Sequence, residues 1–188
     1  WGGSLNTADA LARYILPKRV PAWKPVVVAM EPPDQTTDVV ARMKAAGVQM
    51  ILHNLPPGDF AAGERGIACH PDRVAEFRAG VATAIGYAQR LGVRQLNCLA
   101  GRLPEGVDPA RAEATLVENL AFAAAALREA GLTLLIEPIN TFDIPGFFVN
   151  RTAQAAALID AVGADNLAIQ YDIYHAQRME GELAATIT

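Results

Sequence analysis

The sequence predicts a parallel α/β fold of the barrel type, and three observations support this prediction. Short apolar runs alternate with longer segments of helical periodicity along the chain, which is the order that produces parallel βα units. Polar residues recur where the apolar runs end, and the carboxyl ends of barrel strands carry active-site residues. No glycine-rich phosphate loop follows the first apolar run, which disfavours a nucleotide-binding doubly wound sheet.

The first two strands are predicted from apolar runs at residues 26–30 and 49–53. Between them, apolar residues recur at helical spacing over residues 36–46, and Gly47 is suited to end that helix. The second strand leads into a long loop, rich in glycine and proline, that ends at His70. This order gives the first βα unit and the start of the second.

Two longer helices are predicted over residues 71–91 and 109–130. Each begins with a proline, which fits the first turn of a helix, and each is followed by a glycine, which suits a helix end. The remaining predicted elements are strands at residues 95–99, 133–136 and 167–171, a helix from about residue 150 to 162, and a last helix over residues 180–188.

The composition indicates one globular domain and excludes several function classes. Of the 188 residues, 52% are hydrophobic and 19% are charged, so a sizeable core is expected and disorder is not. A net charge of −4 and a pI near 5.4 argue against a nucleic-acid partner, which requires a basic surface. No apolar run reaches membrane-spanning length and no secretory signal is visible. With only Cys69 and Cys98, we expect a cytoplasmic protein with reduced thiols and no membrane partner.

The most informative feature is that two strands each run directly into a carboxylate. Residues 134–136 form an apolar run that ends at Glu137, and residues 167–171 form a second run that ends at Asp172, with His175 shortly after it. Because the carboxyl ends of neighbouring parallel strands lie at one edge of a sheet, we expect these carboxylates to converge. The pattern predicts a metal site or an acid–base site.

Four segments are specific enough to set beside known families: residues 53–67, 135–148, 170–175 and 179–182. They resemble the hydroxypyruvate isomerase family of the xylose isomerase-like TIM barrels, and the resemblance covers residues 34–188. It implies a (β/α)8 barrel and an aldose–ketose isomerisation of hydroxypyruvate and 2-hydroxy-3-oxopropanoate (tartronate semialdehyde) through an enediol, in glyoxylate metabolism. A sister activity of the family isomerises 2-oxo-tetronate.

The chain matches only part of such a barrel. A complete (β/α)8 barrel typically has about 250 residues, whereas this sequence reaches its sixth βα unit at most. We therefore expect one domain over residues 1–188, a truncated barrel lacking the last two strands, with residues 1–33 atypical for the family. The resemblance implies that the missing strands carry a further metal ligand and a second catalytic glutamate, so the chain alone is expected to be nearly inactive.

The resemblance implies that Glu137 is a metal ligand and the catalytic acid–base group, and that Asp172 is a second metal ligand. Isomerisation moves a proton between neighbouring carbons, which a positioned carboxylate can transfer. A divalent cation on the two substrate oxygens stabilises the charge of the enediolate. Oxygen ligands favour Mg²⁺ or Mn²⁺. The structural alternatives are an ion pair between Glu137 and an arginine, and a helix N-cap at Asp172.

Four further residues are candidate substrate-binding groups: His175, Asp143, His53 and Arg65. The resemblance implies that the first two contact substrate oxygens. His53 ends a strand, and Arg65 can bind the carboxylate of a small 2-oxo or hydroxy acid. The structural alternatives are a backbone hydrogen bond for His175, a turn cap for Asp143, a satisfied core position for His53 and a solvated loop charge for Arg65. A homo-oligomer is compatible with the resemblance.

Three other functions stay open at this point. The first is a related sugar-acid isomerase or epimerase, which substrate profiling would separate from hydroxypyruvate isomerase. The second is an inactive truncated remnant that retains the motifs. The third, an apurinic endonuclease of the same fold, needs several metal-ligating histidines and a basic groove, whereas this chain has three histidines and a net charge of −4.

Overall fold

The computed structural model describes residues 26–29 and 36–187 of the chain. The expectation that residues 1–33 depart from the family lies outside the described residues, apart from one strand. No helix within the described ranges is both long enough and apolar enough to cross a membrane.

The described strands form one parallel sheet, in which spatial order follows chain order. This arrangement confirms the predicted parallel α/β fold, because successive βα units of a barrel place each strand beside the previous one. The strands are β1 Val26–Ala29, β2 Gln49–Asn54, β3 Gln95–Cys98, β4 Thr133–Ile136 and β5 Leu167–Ile169.

The helices follow the predicted pattern up to β5 and differ from it afterwards. They are α1 Thr36–Ala46, α2 Val74–Leu91, preceded by a 3-10 turn at Pro71–Arg73, α3 Pro109–Glu129, α4 Thr152–Val162, α5 Ile173–Met179 and α6 Leu183–Ile187. The last helix, predicted over residues 180–188, begins only at Leu183, and a short helix that was not predicted, α5, lies before it. Gly181 (φ 66°) and Glu182 (φ 46°) adopt the left-handed conformation between them, which interrupts a helix.

Alternation along the strands separates the sheet into two faces. The side chains of Leu96, Cys98, Leu134 and Ile136 are fully buried and face the helices, where they belong to the main core cluster. The residues between them, including Asn97 and Leu135, face the barrel interior. Each strand therefore contributes an apolar anchor to the helix layer and leaves its interior face free to carry polar groups at its carboxyl end.

Hydrogen bonds hold the loop after β2 against the loop after β3 and against helix α3. Cys69 donates its N–H to Ala100 O at 2.9 Å, and the buried Asn119 of α3 donates to Ala68 O at 2.9 Å. A Cβ atom on Gly66 would lie 2.2 Å from Leu99 O, and Gly66 has φ 108°. Only glycine fits this close approach, so the long loop is held tightly against the sheet edge.

Candidate metal and active site

Glu137, Asp172 and His175 converge at the carboxyl ends of β4 and β5, and we call these three residues the edge cluster. Each offers one ligand atom, and the three atoms lie within 4.8 Å of one another. The predicted convergence of the two carboxylates is confirmed. It follows from the parallel pairing of β4 with β5, which brings Ile136 beside Ile169 and carries both chain ends to one edge of the sheet.

Glu137 is buried, with 7% of its surface exposed, and side-chain amides hydrogen-bond to its carboxylate. Asn97 of β3 donates its Nδ2–H to Glu137 Oε2 at 2.8 Å, and the same Nδ2 donates to Asn54 Oδ1 at 3.1 Å. Burial raises the pKa of Glu137 to about 7, and the neighbouring Asp172 charge adds to this rise, while the Asn97 and Gln170 amides oppose it. Glu137 therefore titrates near neutral pH.

Asp172 caps helix α5 and still keeps one carboxylate oxygen available. Its Oδ1 accepts from the backbone N–H groups of Tyr174 at 2.8 Å and His175 at 3.3 Å. These hydrogen bonds are those of the N-cap alternative. The structure gives Oδ2 no hydrogen bond to any described residue, so capping and cation binding are compatible at this residue.

Asn140, in the loop after β4, connects His175 to Asp143. Its Oδ1 accepts from the backbone N–H groups of Phe142 at 3.1 Å and Asp143 at 2.9 Å. Its Nδ2 lies 2.9 Å from Asp143 Oδ2 and 2.7 Å from His175 Nδ1. Asn140 is fully buried, so this amide forms a fixed link between the edge cluster and the loop.

Asp143 is exposed, and two hydrogen bonds hold its carboxylate beside the edge cluster. Its Oδ2 accepts from Tyr174 Oη at 2.7 Å and from Asn140. These two hydrogen bonds, that of Tyr174 first, lower the pKa of Asp143. Asp143 therefore keeps its negative charge at neutral pH, and its place beside His175 is compatible with the predicted contact to substrate.

His53 and Asn54 are neighbours in sequence but face opposite sides of the sheet. His53 is fully buried, its Nδ1 lies 2.9 Å from Asn54 O, and its ring lies beside the Ala84 backbone of α2. Burial lowers the pKa of His53. The described contacts place His53 against the helix layer. Asn54 faces the other side, where it accepts a hydrogen bond from Asn97, which also donates to Glu137. This buried environment corresponds to the structural alternative for His53, a position in the core.

Arg65 is held within its own loop. Its Nη1 donates to Phe60 O at 3.2 Å and to Glu64 O at 2.7 Å, and its guanidinium carbon lies 3.9 Å from the centre of the Phe60 ring. No described hydrogen bond joins Arg65 to the edge cluster. Binding of a substrate carboxylate by Arg65 would use its remaining N–H groups, and this role stays a prediction.

The sequence assigned no individual role to Asn54, Asn97 or Asn140. In the structure, Asn97 and Gln170 hydrogen-bond to Glu137 and Asn140 to His175, while Asn54 bonds to Asn97. One signal was present in the sequence: Asn97 stands between the apolar residues Leu96 and Cys98, where an unpaired amide is unfavourable. Such a residue indicates a polar partner on a neighbouring strand.

The edge cluster fits a divalent cation that prefers oxygen ligands. Two carboxylates lie side by side, and no lysine or arginine among the described residues forms an ion pair with either of them. Buried like charges raise each other's energy, and a cation between them removes this penalty. Glu137 and Asp172 supply hard oxygen ligands of the kind that Mg²⁺ and Mn²⁺ select.

Known proteins resemble this chain in both sequence and fold. Hydroxypyruvate isomerase of Escherichia coli (strain K12) is 62% identical over 137 residues, which cover 73% of this chain and 53% of that protein. The 2-oxo-tetronate isomerase of Cupriavidus necator is 49% identical over 144 residues, covering 77% of this chain and 55% of that protein. The chain thus spans about half the length of these two relatives.

A solved structure has the same architecture. The crystal structure of AP endonuclease, family 2, from Brucella melitensis is 39% identical with a TM-score of 0.81, and the match covers 86% of this chain and 63% of that chain. The family model for xylose isomerase-like TIM barrels matches residues 20–188. Because this match runs through all five strands from β1 to β5, the chain belongs to the xylose isomerase-like TIM barrel family.

Proposed function

We propose that this chain belongs to an enzyme that interconverts hydroxypyruvate and 2-hydroxy-3-oxopropanoate. The observation that carries the proposal is the convergence of the buried Glu137 carboxylate with Asp172 at the sheet edge. The 62% identity to the hydroxypyruvate isomerase of E. coli supports this choice of substrate. An isomerase of this kind needs a group that takes and returns one proton at neutral pH.

Glu137 is suited to that proton transfer. A general acid–base group works best when its pKa lies near the working pH, because both protonation states are then populated. Deprotonated Glu137 removes the proton from the hydroxyl-bearing carbon next to the carbonyl, which gives an enediolate. The protonated carboxyl then returns the proton to the neighbouring carbon, and the proton of the original hydroxyl group passes to the former carbonyl oxygen. Asn97, fixed on β3, keeps Oε2 of Glu137 oriented by its hydrogen bond of 2.8 Å.

Glu137 and Asp172 would hold a divalent cation, for which we propose Mg²⁺ or Mn²⁺. When bound, such an ion stabilises negative charge on the substrate oxygens. Asp172 is fixed for this role because its Oδ1 caps α5. The Asn97 amide supports Glu137 in the same way, as partners behind a metal ligand commonly do.

The substrate would be recognised by groups around the edge cluster. We propose that His175 and Asp143 contact its oxygen atoms and that Arg65 binds its carboxylate. His53 stays a weaker candidate because its ring lies among backbone groups of the core. A cytoplasmic location, a homo-oligomer and a small 2-oxo or hydroxy acid as the bound partner complete the proposal.

A second candidate is 2-oxo-tetronate isomerisation. It is supported by the relative from Cupriavidus necator, which is 49% identical. Both reactions move a proton between the second and third carbons of a small oxo-acid, so the same edge cluster suits either reaction. The substrates of the two candidate reactions differ in length, so groups beyond the edge cluster must distinguish between them.

A coupled assay tests the proposal. This chain and a chimera, in which its residues replace the matching 137 residues of the E. coli relative, are assayed with hydroxypyruvate, 2-oxo-tetronate and a ketose. We expect the chimera to turn over hydroxypyruvate with the highest kcat/KM. Preference for 2-oxo-tetronate selects the second candidate. A chimera that folds, binds Mg²⁺ and turns over none of the three substrates contradicts both.

A further inference from the structure

We propose that Asn140 is a positioning residue that sets the tautomer of His175, so that Nε2 of His175 carries the proton and donates it in a hydrogen bond to a substrate oxygen. The proposal rests on the proposed function only for the identity of that oxygen. It concerns a residue to which neither the sequence nor the relatives give a role. It also separates His175 from the two carboxylates that would hold a cation.

The orientation of the Asn140 amide is determined by three partners other than His175. Its Oδ1 faces the backbone N–H groups of Phe142 and Asp143, which can only donate. Its Nδ2 faces Asp143 Oδ2, which in a carboxylate can only accept. Exchange of the amide oxygen and nitrogen would create three repulsive contacts at once. The amide nitrogen therefore points at both Asp143 and His175.

The tautomer of His175 follows from that orientation. An amide nitrogen donates and does not accept, so His175 Nδ1, 2.7 Å away, must accept. A neutral imidazole whose Nδ1 accepts carries its proton on Nε2. The structure gives Nε2 no hydrogen bond to any described residue. His175 therefore presents an N–H group to a ligand, whereas a metal ligand needs an unprotonated nitrogen.

The role suits the chemistry of the edge cluster. Negative charge develops on a substrate oxygen as the enediol forms, and a fixed N–H donor stabilises that charge in a partly buried site. The Asp172 carboxylate only accepts, and the proton of Glu137 is the one that is transferred, so neither group supplies this donor. Because His175 lies in the first turn of α5, which Asp172 caps, and its ring is held by Asn140, a helix and a loop together fix the donor.

The decisive measurement is the tautomer itself, read from long-range ¹H–¹⁵N correlations of the histidine rings in the 188-residue chain. The chain has three histidines, and two serve as internal references. His53 Nδ1 and His70 Nε2 each face a backbone carbonyl, at 2.9 and 3.0 Å, so each of these nitrogens must carry a proton. The spectrum should show one Nδ1–H ring from His53 and two Nε2–H rings, of which His175→Gln removes one.

Asn140→Asp reverses the group that faces His175 and keeps the turn. A carboxylate retains an oxygen for the N–H groups of Phe142 and Asp143 but places an acceptor against Nδ1. We expect Nδ1 of His175 to become protonated while His53 and His70 keep their signals. The double variant Asn140→Asp, Asp143→Asn removes the repulsion between two carboxylates and should give the same change if the single variant folds poorly. Asp143→Asn alone leaves the Asn140 amide in place and should leave the tautomer of His175 unchanged.

Two kinds of result overturn the proposal. One is a wild-type His175 that carries its proton on Nδ1, or that loses the Nε2 proton when Mg²⁺ is added. The other is an Asn140→Asp substitution that changes the tautomer in the chain but leaves kcat of the chimera unchanged in the isomerase assay, since loss of one such donor should lower kcat by about 10²-fold with a smaller change in KM. Should the wild type turn over none of the three substrates, the proposed function fails, and the spectra still decide the role of Asn140.

Discussion

Two carboxylate-bearing regions of this molecule are held in opposite ways. In the loop after β2 and the first turn of α2, Arg73 forms ion pairs with both Glu64 and Glu76, and we call these three residues the loop cluster. At the ends of β4 and β5, Glu137 and Asp172 lie together, and no lysine or arginine among the described residues pairs with either. Arg73 thus compensates the carboxylates of the loop cluster, whereas no such cation compensates those of the edge cluster.

The pKa values of the two regions express the same contrast. Burial raises the pKa of Glu64, but the Arg73 hydrogen bond and charge, together with the Asp59 N–H, outweigh it and lower the pKa overall. Burial dominates at Glu137 and raises its pKa to about 7. A charge that the protein compensates stabilises the fold. A buried charge that it leaves uncompensated destabilises the fold, and such groups are common at functional sites.

The largest expected effect comes from removal of the Glu137 carboxylate. In the chimera, Glu137→Gln should lower kcat by about 10²–10⁴-fold, because an amide cannot transfer the proton. The matched control is Glu76→Gln, which makes the same substitution in the loop cluster and should leave kcat within about twofold of the parent, since surface ion pairs contribute little. An equal loss of kcat in the two variants would show that the edge cluster is no more important for catalysis than the loop cluster.

The second effect is a pH dependence of stability with a defined sign. In metal-free protein, Glu137 holds its proton up to about pH 7 when folded but releases it near its ordinary pKa of 4.5 when unfolded. The unfolded state then binds fewer protons, so this residue makes the free energy of unfolding decrease by up to about 3 kcal/mol as pH rises from 4.5 to 7.

Denaturant unfolding with a chelator, at pH values from 5 to 8, measures this decrease. Glu137→Gln should lose it and become more stable than the wild type at pH 8. Glu64 behaves in the opposite direction, because its lowered pKa gives stability that is present above its unfolded pKa and lost as pH falls through its folded pKa. A wild-type curve parallel to that of Glu137→Gln would show that Glu137 is not buried as an uncompensated charge.

The third effect concerns the amide behind the edge cluster. Asn97→Leu removes the donor to Glu137 and should weaken Mg²⁺ binding about 10–100-fold, as loss of a partner behind a metal ligand commonly does. Calorimetric titration of the chain measures this affinity. Cys98→Ala, one residue along the same strand but on the helix face, is the matched control. A comparable loss of affinity in that control would mean that β3 acts only through packing.

The smallest effect is expected in the loop cluster. Arg73→Met should lower the free energy of unfolding by about 1 kcal/mol, and less at high salt, because the ion pairs are partly exposed. Arg128→Met is the reference, since its pair with Asp165 is 3.6 Å long and highly exposed and should contribute almost nothing. If Arg73→Met instead lowered Mg²⁺ affinity, the two clusters would be coupled.

The sequence was a good guide to elements with a clear period. The strand predicted at residues 133–136 is the observed β4, and the helix predicted at residues 36–46 is the observed α1. The strand predicted at residues 167–171 ends at Ile169, because the chain turns there to present Asp172 as a cap. Helix α5 escaped prediction because seven residues are too few to show a helical pattern.

The site was predictable where topology alone decides it. Parallel neighbouring strands bring Glu137 and Asp172 to one edge whatever their side-chain details. The hydrogen bonds of Asn97 and Asn140 were not predictable, because they depend on strand register and on how a loop folds back. His53 and Asn54 show the limit most clearly: adjacent residues at a strand end face opposite sides, and a shift of one residue exchanges their environments.

The Asn97 amide also bears on how the sheet chooses its pairing while the chain folds. In β4, Leu134, Leu135 and Ile136 are all apolar and all buried, so hydrophobicity hardly distinguishes the correct alignment with β3 from one displaced by a single position. A displaced β3 would turn Leu96 or Cys98 toward Glu137 and leave a buried carboxylate without a donor, an unfavourable state. The hydrogen bonds from Asn97 to Asn54 and Glu137 thus disfavour misaligned strand pairings, which the apolar sequence of β4 alone does not.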